Sequence, residues 1–490
     1  MPGARPHRNC ETDSMRRGVP PIRVLVLGAA VLLAGVAGAA AADEMTAFVR
    51  TSPRDARYFE LTDGRPYVPI GLNIVQPPYP YKDLGAMATW IENLAKGGGN
   101  FIRIWMGAKY FDVEPERSGR YDPAKAQRLA ELLALCRTRG VRVKMCIESF
   151  RTLKGGKEWS RKPMHLVENG GPATDAADFF AGQAGRQQFK RKLAWLADRF
   201  ADEPAVFGWE LWNEVNCVRG ADWYAWSEVM LAELGRLAPK NLAMQSLGSF
   251  DRAGARDMYR RLVTLPGNDV AQVHRYLDLG AALEVCRGPV DVLAADAVRE
   301  ILAMNPGRPV LLAESGAVEP SHTGPLKLYA KDNAGIILHD VLFAPFFAGA
   351  AGPGHIWHWD HYVATNDLWW HVARFAEAVK GIDPPAEGFT PGMIQHPRLR
   401  MYTLVGKHTF LAWLRDTKNT WQTELADGQP PETIRGAALT LPAALPGLEA
   451  ARVRTYDPWQ NRWTPATVTD GRVPLPPFQR SLVVRVDYKR

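Results

Sequence analysis

Cysteine is scarce in this chain: five occur among 490 residues, and no two are spaced as a Cys-x-x-Cys pair. That excludes the common structural-zinc and dithiol redox motifs. Charge of one sign is not concentrated either. The formal net charge is +8, but five arginines and only two acids lie before residue 43, so the remainder is milder. After residue 43 no lysine/arginine run interleaves with aromatics, which argues against nucleic acid as a partner. There is no internal repeat, and no low-complexity tract follows residue 42, which removes solenoid and disordered architectures. What remains, 46% hydrophobic and 23% charged, is an ordinary globular composition.

The one long uncharged run lies near the start. Arg16, Arg17 and Arg23 precede residues 24–42, which end in Ala40-Ala41-Ala42 before Asp43. A basic start, an apolar middle and small residues at the end predict a secretory signal peptide over residues 1–42, with Met15 as an alternative start. A retained anchor is the competing reading, since 19 uncharged residues just reach across a bilayer. The alanine-rich end favours cleavage, so the expected address is secreted or periplasmic, without stable membrane insertion. Cleavage removes Cys10 and leaves Cys136, Cys146, Cys217 and Cys286. Export permits disulfides, and Cys217 with Cys286, both in loops on one predicted face, are the expected pair.

From residue 57 to about 382, strand-like runs alternate with helix-like ones. Strands are expected at 67–73, 101–105, 141–147, 205–213, 242–247, 270–276, 310–314 and 355–359. Helices fall between them, among them 124–139, with Leu129, Leu132, Leu133 and Cys136 on one face, and 187–200, 223–237 and 368–379. Eight strands separated by helices predict an α/β fold, a (β/α)8 TIM barrel over residues 43–385. After Pro384-Pro385 the pattern changes to period two with turn signals. That predicts a small antiparallel β-sandwich over 390–490. Its acids Asp416, Glu424 and Asp427 lie in polar, turn-like stretches, so no catalysis is expected there. A carbohydrate-binding module using Trp421, Trp459 or Trp463 is the rival reading.

Two short segments carry the chemistry. Trp209-Glu210-Leu211-Trp212-Asn213-Glu214 ends the fourth predicted strand, and Glu314-Ser315-Gly316 ends the seventh. Strand C-termini are where barrel enzymes gather catalytic side chains. Two carboxylates there, among aromatics, are the equipment for cleaving a glycosidic bond. One acid protonates the departing oxygen and the other, ionised, attacks the anomeric carbon. Asn213 is placed to donate to a sugar 2-hydroxyl. Arg103 on strand two is placed to brace Glu314 and keep its carboxyl ionised. His274 and Tyr276 share one face of strand six. Trp357 and Trp359 share one face of strand eight and offer a platform for a sugar ring. Asn73, ending strand one, is either a polar contact or a turn residue.

Asn-Glu ending strand four, Glu ending strand seven and Trp on strand eight resemble the retaining β-glycosidases of clan A, closest to glycoside hydrolase family 5. The resemblance covers roughly residues 57–382. It implies that Glu214 is the acid/base, Glu314 the nucleophile and Tyr276 a donor to that nucleophile. It also implies a carbohydrate substrate, with β-mannan or β-glucan first, and no cofactor. The family usually ends strand three with histidine. Here the run is Cys146-Ile147-Glu148, so Glu148 is expected to meet a sugar hydroxyl or to pair with Arg103.

His355, His358 and His361 tempt a metal reading, but no zinc spacing is met and alternate strand residues face oppositely. The expected function is a retaining β-glycosidase acting on a poly- or oligosaccharide. The alternatives are an inactive glycan-binding barrel and a metal-dependent hydrolase. Trp159, Trp212, Trp223, Trp226, Trp369 and Trp370, near predicted strand ends, are expected to stack along the sugar chain.

Overall fold

The computed structural model describes residues 45–149, 163–443, 445 and 447–488. The predicted leader and Trp159 lie outside them. Continuous apolar runs form the barrel strands, because a parallel sheet is buried on both faces. These are β1 (Gly71–Asn73), β2 (Phe101–Trp105), β3 (Arg142–Ser149), β4 (Val206–Asn213), β5 (Leu242–Met244), β6 (Ala271–His274) and β7 (Val310–Glu314). β1 to β5 pair in sequence as one parallel sheet, and β6 pairs parallel with β7. Backbone bonds close the ring. The Asp269 N–H donates to Ala243 O (2.8 Å), joining the β5 and β6 regions. Residues 355–357 serve as the eighth stave: His355 donates to Leu312 O (2.9 Å), and Asn73 to Ile356 O (3.1 Å).

Eight helices alternate with these staves: α1 (Gly85–Lys96), α2 (Pro123–Thr138), α3 (Gln183–Phe200), α4 (Trp223–Leu237), α5 (Ala255–Val263), α6 (Val290–Leu302), α7 (Ile336–Phe347) and α8 (Trp370–Ala378). α2 shows why they start where they do. Asp122 accepts from the Ala124 N–H (2.8 Å), and Pro123 follows at a position that needs no N–H.

The strands expected at 242–247 and 270–276 end early, at Met244 and His274, and two other strand expectations change more. The run 67–73 is interrupted at Pro69, which has no N–H to give a ladder. Its first part, Pro66–Tyr67, joins Val49–Thr51 and Phe59–Leu61 in an antiparallel sheet. That sheet places Phe59 and Tyr67 on Phe207 at the start of β4, covering the barrel end opposite the strand C-termini. Strand eight ends at Trp357, because Trp359–Ala364 coils as a helical turn.

The C-terminal region is a six-stranded antiparallel sheet with a second layer of two strands, Ala438–Thr440 and Arg472–Pro474. The strand Thr409–Asp416 alternates as its pattern predicts. Phe410, Ala412 and Leu414 face the core beneath the two-stranded layer, while Leu411 and Trp413 join the barrel core. The partner of that inner face is α7, every residue of which is buried. Ion pairs pin the sheet to α7 through Arg415 and Asp340 (2.7 Å) and to α6 through Arg400 and Asp291 (2.5 Å), with Tyr402 donating to Asp291 (2.9 Å). The three tryptophans of the rival binding-module reading also point this way. Trp421 donates to Gly288 O (3.0 Å), Trp463 to Glu377 (3.0 Å), and Trp459 packs at a tilt against His339. Residues 390–490 expressed alone therefore expose Trp413, Tyr402 and unpaired Arg400 and Arg415, and are expected to be insoluble. Recovery of a soluble, cooperatively melting fragment contradicts this packing account.

Among the described residues Cys217 and Cys286 are not joined to each other, so the expected Cys217–Cys286 bridge is not formed. Cys286 is buried against Phe250 O, whereas Cys217 faces Gly248 in the loop after β5. No helix among the described residues is long and apolar enough to cross a membrane.

Candidate active site

β4 delivers Asn213 and then Glu214, whose φ of 52° lies in the left-handed region. Such a conformation costs a non-glycine residue about 1–3 kcal/mol and persists only where surroundings hold it. Here the Glu214 N–H donates to Ser246 Oγ (3.0 Å) beyond β5. On β7 a register shift between Leu312 and Glu314 brings Glu314 opposite His274 of β6. His274 Nδ1 lies 3.1 Å from Glu214 Oε1 and 3.5 Å from Glu314 Oε2. One carboxylate oxygen of each glutamate and a His274 ring nitrogen fall within 4.8 Å of one another.

Glu314 is held on both oxygens. Tyr276 donates its hydroxyl to Oε2 (2.8 Å), and Arg103 Nη1 donates to Oε1. Arg103 is wholly buried and engaged on every side. It grips Glu210 through Nε (2.8 Å) and Nη2 (2.9 Å), Asn213 Oδ1 (2.6 Å) and Asn73 Oδ1 (3.2 Å). Lys144 completes the layer, 3.2 Å from Glu210. Two cations thus face two carboxylates in the barrel interior, a balance that buried charge requires.

The electrostatics follow from this arrangement. Burial pushes the Glu314 carboxyl up. The charges of His274 and Arg103, with the hydrogen bonds from Tyr276 and Arg103, outweigh it and hold the group below the ordinary 4.5. Glu210 is also buried, yet Arg103 and Lys144 hold it far below that value. Burial brings Lys144 down to about 8 against the pull of Glu210. The glutamates open on a cavity of about 610 Å³. Trp105 and Trp357, with rings 4.8 Å apart, form one wall, and His322, His358 and His361 contribute others.

The family model for cellulase (glycosyl hydrolase family 5) matches residues 66–336, more than half of the chain. The chain belongs to glycosyl hydrolase family 5. It is a glycoside hydrolase on the (β/α)8 barrel. Among curated relatives, mannan endo-1,4-beta-mannosidase 4 of Oryza sativa subsp. japonica is 23% identical over 365 residues, covering 66% of this chain and 73% of that one. Mannan endo-1,4-beta-mannosidase 3 of the same plant is 23% identical over 389 residues, covering 72% and 79%. A solved glycoside hydrolase covers 91% of this chain and 97% of its own, with a TM-score of 0.59 at 13% identity, which extends the shared fold through the C-terminal region.

Within this family 5 barrel the expected residues divide. Glu214, Glu314, Asn213, Tyr276 and Trp357 line the cavity, with His274 and Arg103 directly behind the two acids. Asn73 does not reach it. Its amide donates to Ala313 O, His355 O and Ile356 O (3.1–3.2 Å), stapling β1 to the closing staves. Trp359 is buried beside Trp357 and is absent from the wall, because the chain coils where an extended strand was expected. Glu148 does not pair with Arg103; it is buried against Lys192 of α3, which also contacts Glu114 (3.3 Å). Trp212 and Trp226 are core residues packed with Phe180 and Phe189, and Trp369 is buried too. The strand-eight histidines do not converge: His355 bonds Pro69 O (3.0 Å), His358 faces the Tyr329 hydroxyl (3.1 Å), and His361 is exposed. Among the described residues the one grouping of potential metal ligands is Glu214, His274 and Glu314, and Arg103 and Tyr276 already engage both oxygens of Glu314.

Three contributors were not anticipated. Glu210 is a charged residue inside an otherwise apolar buried run, which is itself a signal of a paired charge. Trp105 is two residues beyond Arg103 and shares its face of β2, so period two was enough to find it. His322 sits in the loop after β7 and has no sequence pattern to announce it.

Proposed function

We propose that the chain is an exported retaining β-glycosidase that cleaves β-mannan by double displacement. The observation carrying this reading is that one carboxylate oxygen of Glu214 lies within 4.8 Å of one of Glu314, too close to leave room for a water held between the two groups. Retention needs carboxyl groups ~5–5.5 Å apart, whereas inversion leaves ~6.5–9.5 Å for a water. Glu314, ionised and held by Arg103 and Tyr276, attacks the anomeric carbon. Glu214, the more exposed acid, protonates the departing oxygen and then takes a proton from the water that releases the glycosyl-enzyme. His274 bridges the two acids and orients them. Asn213, anchored by Arg103, meets the 2-hydroxyl, and Trp357 with Trp105 supplies the apolar face for a ring.

Mannan is preferred over glucan because the curated relatives described above are mannan endo-1,4-beta-mannosidases. Export rests on the leader pattern in residues 1–42, followed in this reading by a catalytic barrel over 43–385 and a supporting sandwich over 390–490. Reducing-sugar release from mannan, cellulose and mixed-linkage glucan tests the substrate. Mannan is expected to be cleaved fastest, and faster release from either glucan contradicts the choice.

A further inference from the structure

Beyond Tyr276, the β6 and β7 regions pair again, as Leu277–Asp278 with Ala317–Val318. Asp278 is buried, and its carboxylate accepts from the N–H groups of Gly280 (2.7 Å) and Ser321 (2.9 Å). Its other oxygen takes His322 Nδ1 at 2.9 Å. Ser321 and His322 have φ of 61° and 58°, two consecutive non-glycine residues in a costly region. Strain of that kind persists where surroundings over-determine it, and it concentrates at functional sites. The ring of His322 stands edge-on to Tyr276 at 5.0 Å, and its Nε2 lies 3.2 Å from Ser249 Oγ in the loop after β5. In the neutral tautomer that donates Nδ1–H to Asp278, Nε2 is an acceptor. The side chain nonetheless remains 37% exposed.

His322 stands where two cavities meet. One, described above, holds both acids. The other, about 470 Å³, is lined by Glu214, Asn216, Ser249, Asp251, Asp278 and His322 among others, and does not include Glu314. The reaction supplies a direction. The nucleophile meets the anomeric carbon and the acid meets the oxygen that leaves, so the departing group lies past Glu214 on the side away from Glu314. The second cavity is on that side, and its polar walls suit a hydroxyl-rich occupant.

We propose that His322, fixed by Asp278, is a specificity-determining residue that accepts a hydrogen bond from a hydroxyl of the leaving-group sugar, for which Ser249 substitutes when the site is empty. The inference rests on the double-displacement reading. It is tested by comparing mannohexaose, which places sugar on both sides of the cleaved bond, with 4-nitrophenyl β-mannotrioside, whose leaving group carries no sugar hydroxyl. In His322→Ala, kcat/KM for the hexaose is expected to fall about tenfold further than for the aryl glycoside, the effect of one such hydrogen bond. His322→Gln, which keeps an acceptor, is expected to recover most of that difference and serves if the alanine variant folds poorly. Equal losses on the two substrates reveal a purely structural role beside Tyr276 and overturn the proposal, as does an unchanged ratio. A wild-type enzyme that cleaves neither substrate overturns the β-mannan reading itself, a separate failure.

Discussion

Glu314→Ala is expected to lower kcat by about 10⁴-fold or more while the protein stays folded, because the variant loses the group that forms the covalent intermediate. Folding is retained because Arg103 keeps its two-point grip on Glu210 and its bonds to Asn213 and Asn73. Azide is expected to restore turnover and to yield a product of inverted configuration, since a small anion can enter the space left by the side chain and attack from the same face. Glu214→Ala loses the acid instead, so substrates with good leaving groups are expected to suffer least in its first step. Near-normal activity in either variant contradicts the assignment of the two roles.

The second large effect is on stability. Glu210→Ala leaves Arg103 and Lys144 buried with only Glu314 to balance them, and breaking a buried pair in this way costs about 3–5 kcal/mol. The pH dependence carries a sign. Glu210 is held far below the ordinary 4.5, so its pairing stabilises fully above that value and is lost as pH falls toward the folded-state value. The difference between wild type and variant is therefore expected to be full at pH 7 and to shrink below about 4.5. Denaturant midpoints at pH 7 and pH 3 measure it. A variant as stable as wild type at pH 7 means that the charge layer is not organised around Glu210.

Most of the barrel was legible because its strands are buried on both faces and its helices are not. Val310–Glu314 and Trp223–Leu237 fall where their patterns put them. The pattern fails where burial removes periodicity or where short range decides. α7 is buried all round because the barrel and the C-terminal sheet cover it together, and no single stripe marks its contact face. Trp212 and Trp226 look like strand-end platforms in one dimension, yet helix packing turns them into the core. The two acids, Arg103, His274 and Tyr276 converge in space as their places on or just past the barrel strands lead one to expect. Asn73 does make polar contacts, but with the closing-stave carbonyls rather than the cavity, and Glu148 pairs with Lys192 rather than Arg103; these partners are 44 residues or more away in the chain. His322 depends on a loop held by Asp278, a contact no local pattern encodes.

The central claim is that Glu214 and Glu314 act together in a retaining mechanism, and the anomeric configuration of the first product tests it most directly. Proton NMR during the first minutes of mannan-oligosaccharide hydrolysis is expected to show the β-anomer of the new reducing end, which then relaxes toward the α/β equilibrium. Initial appearance of the α-anomer contradicts the account, because it requires a water between the two acids and direct displacement.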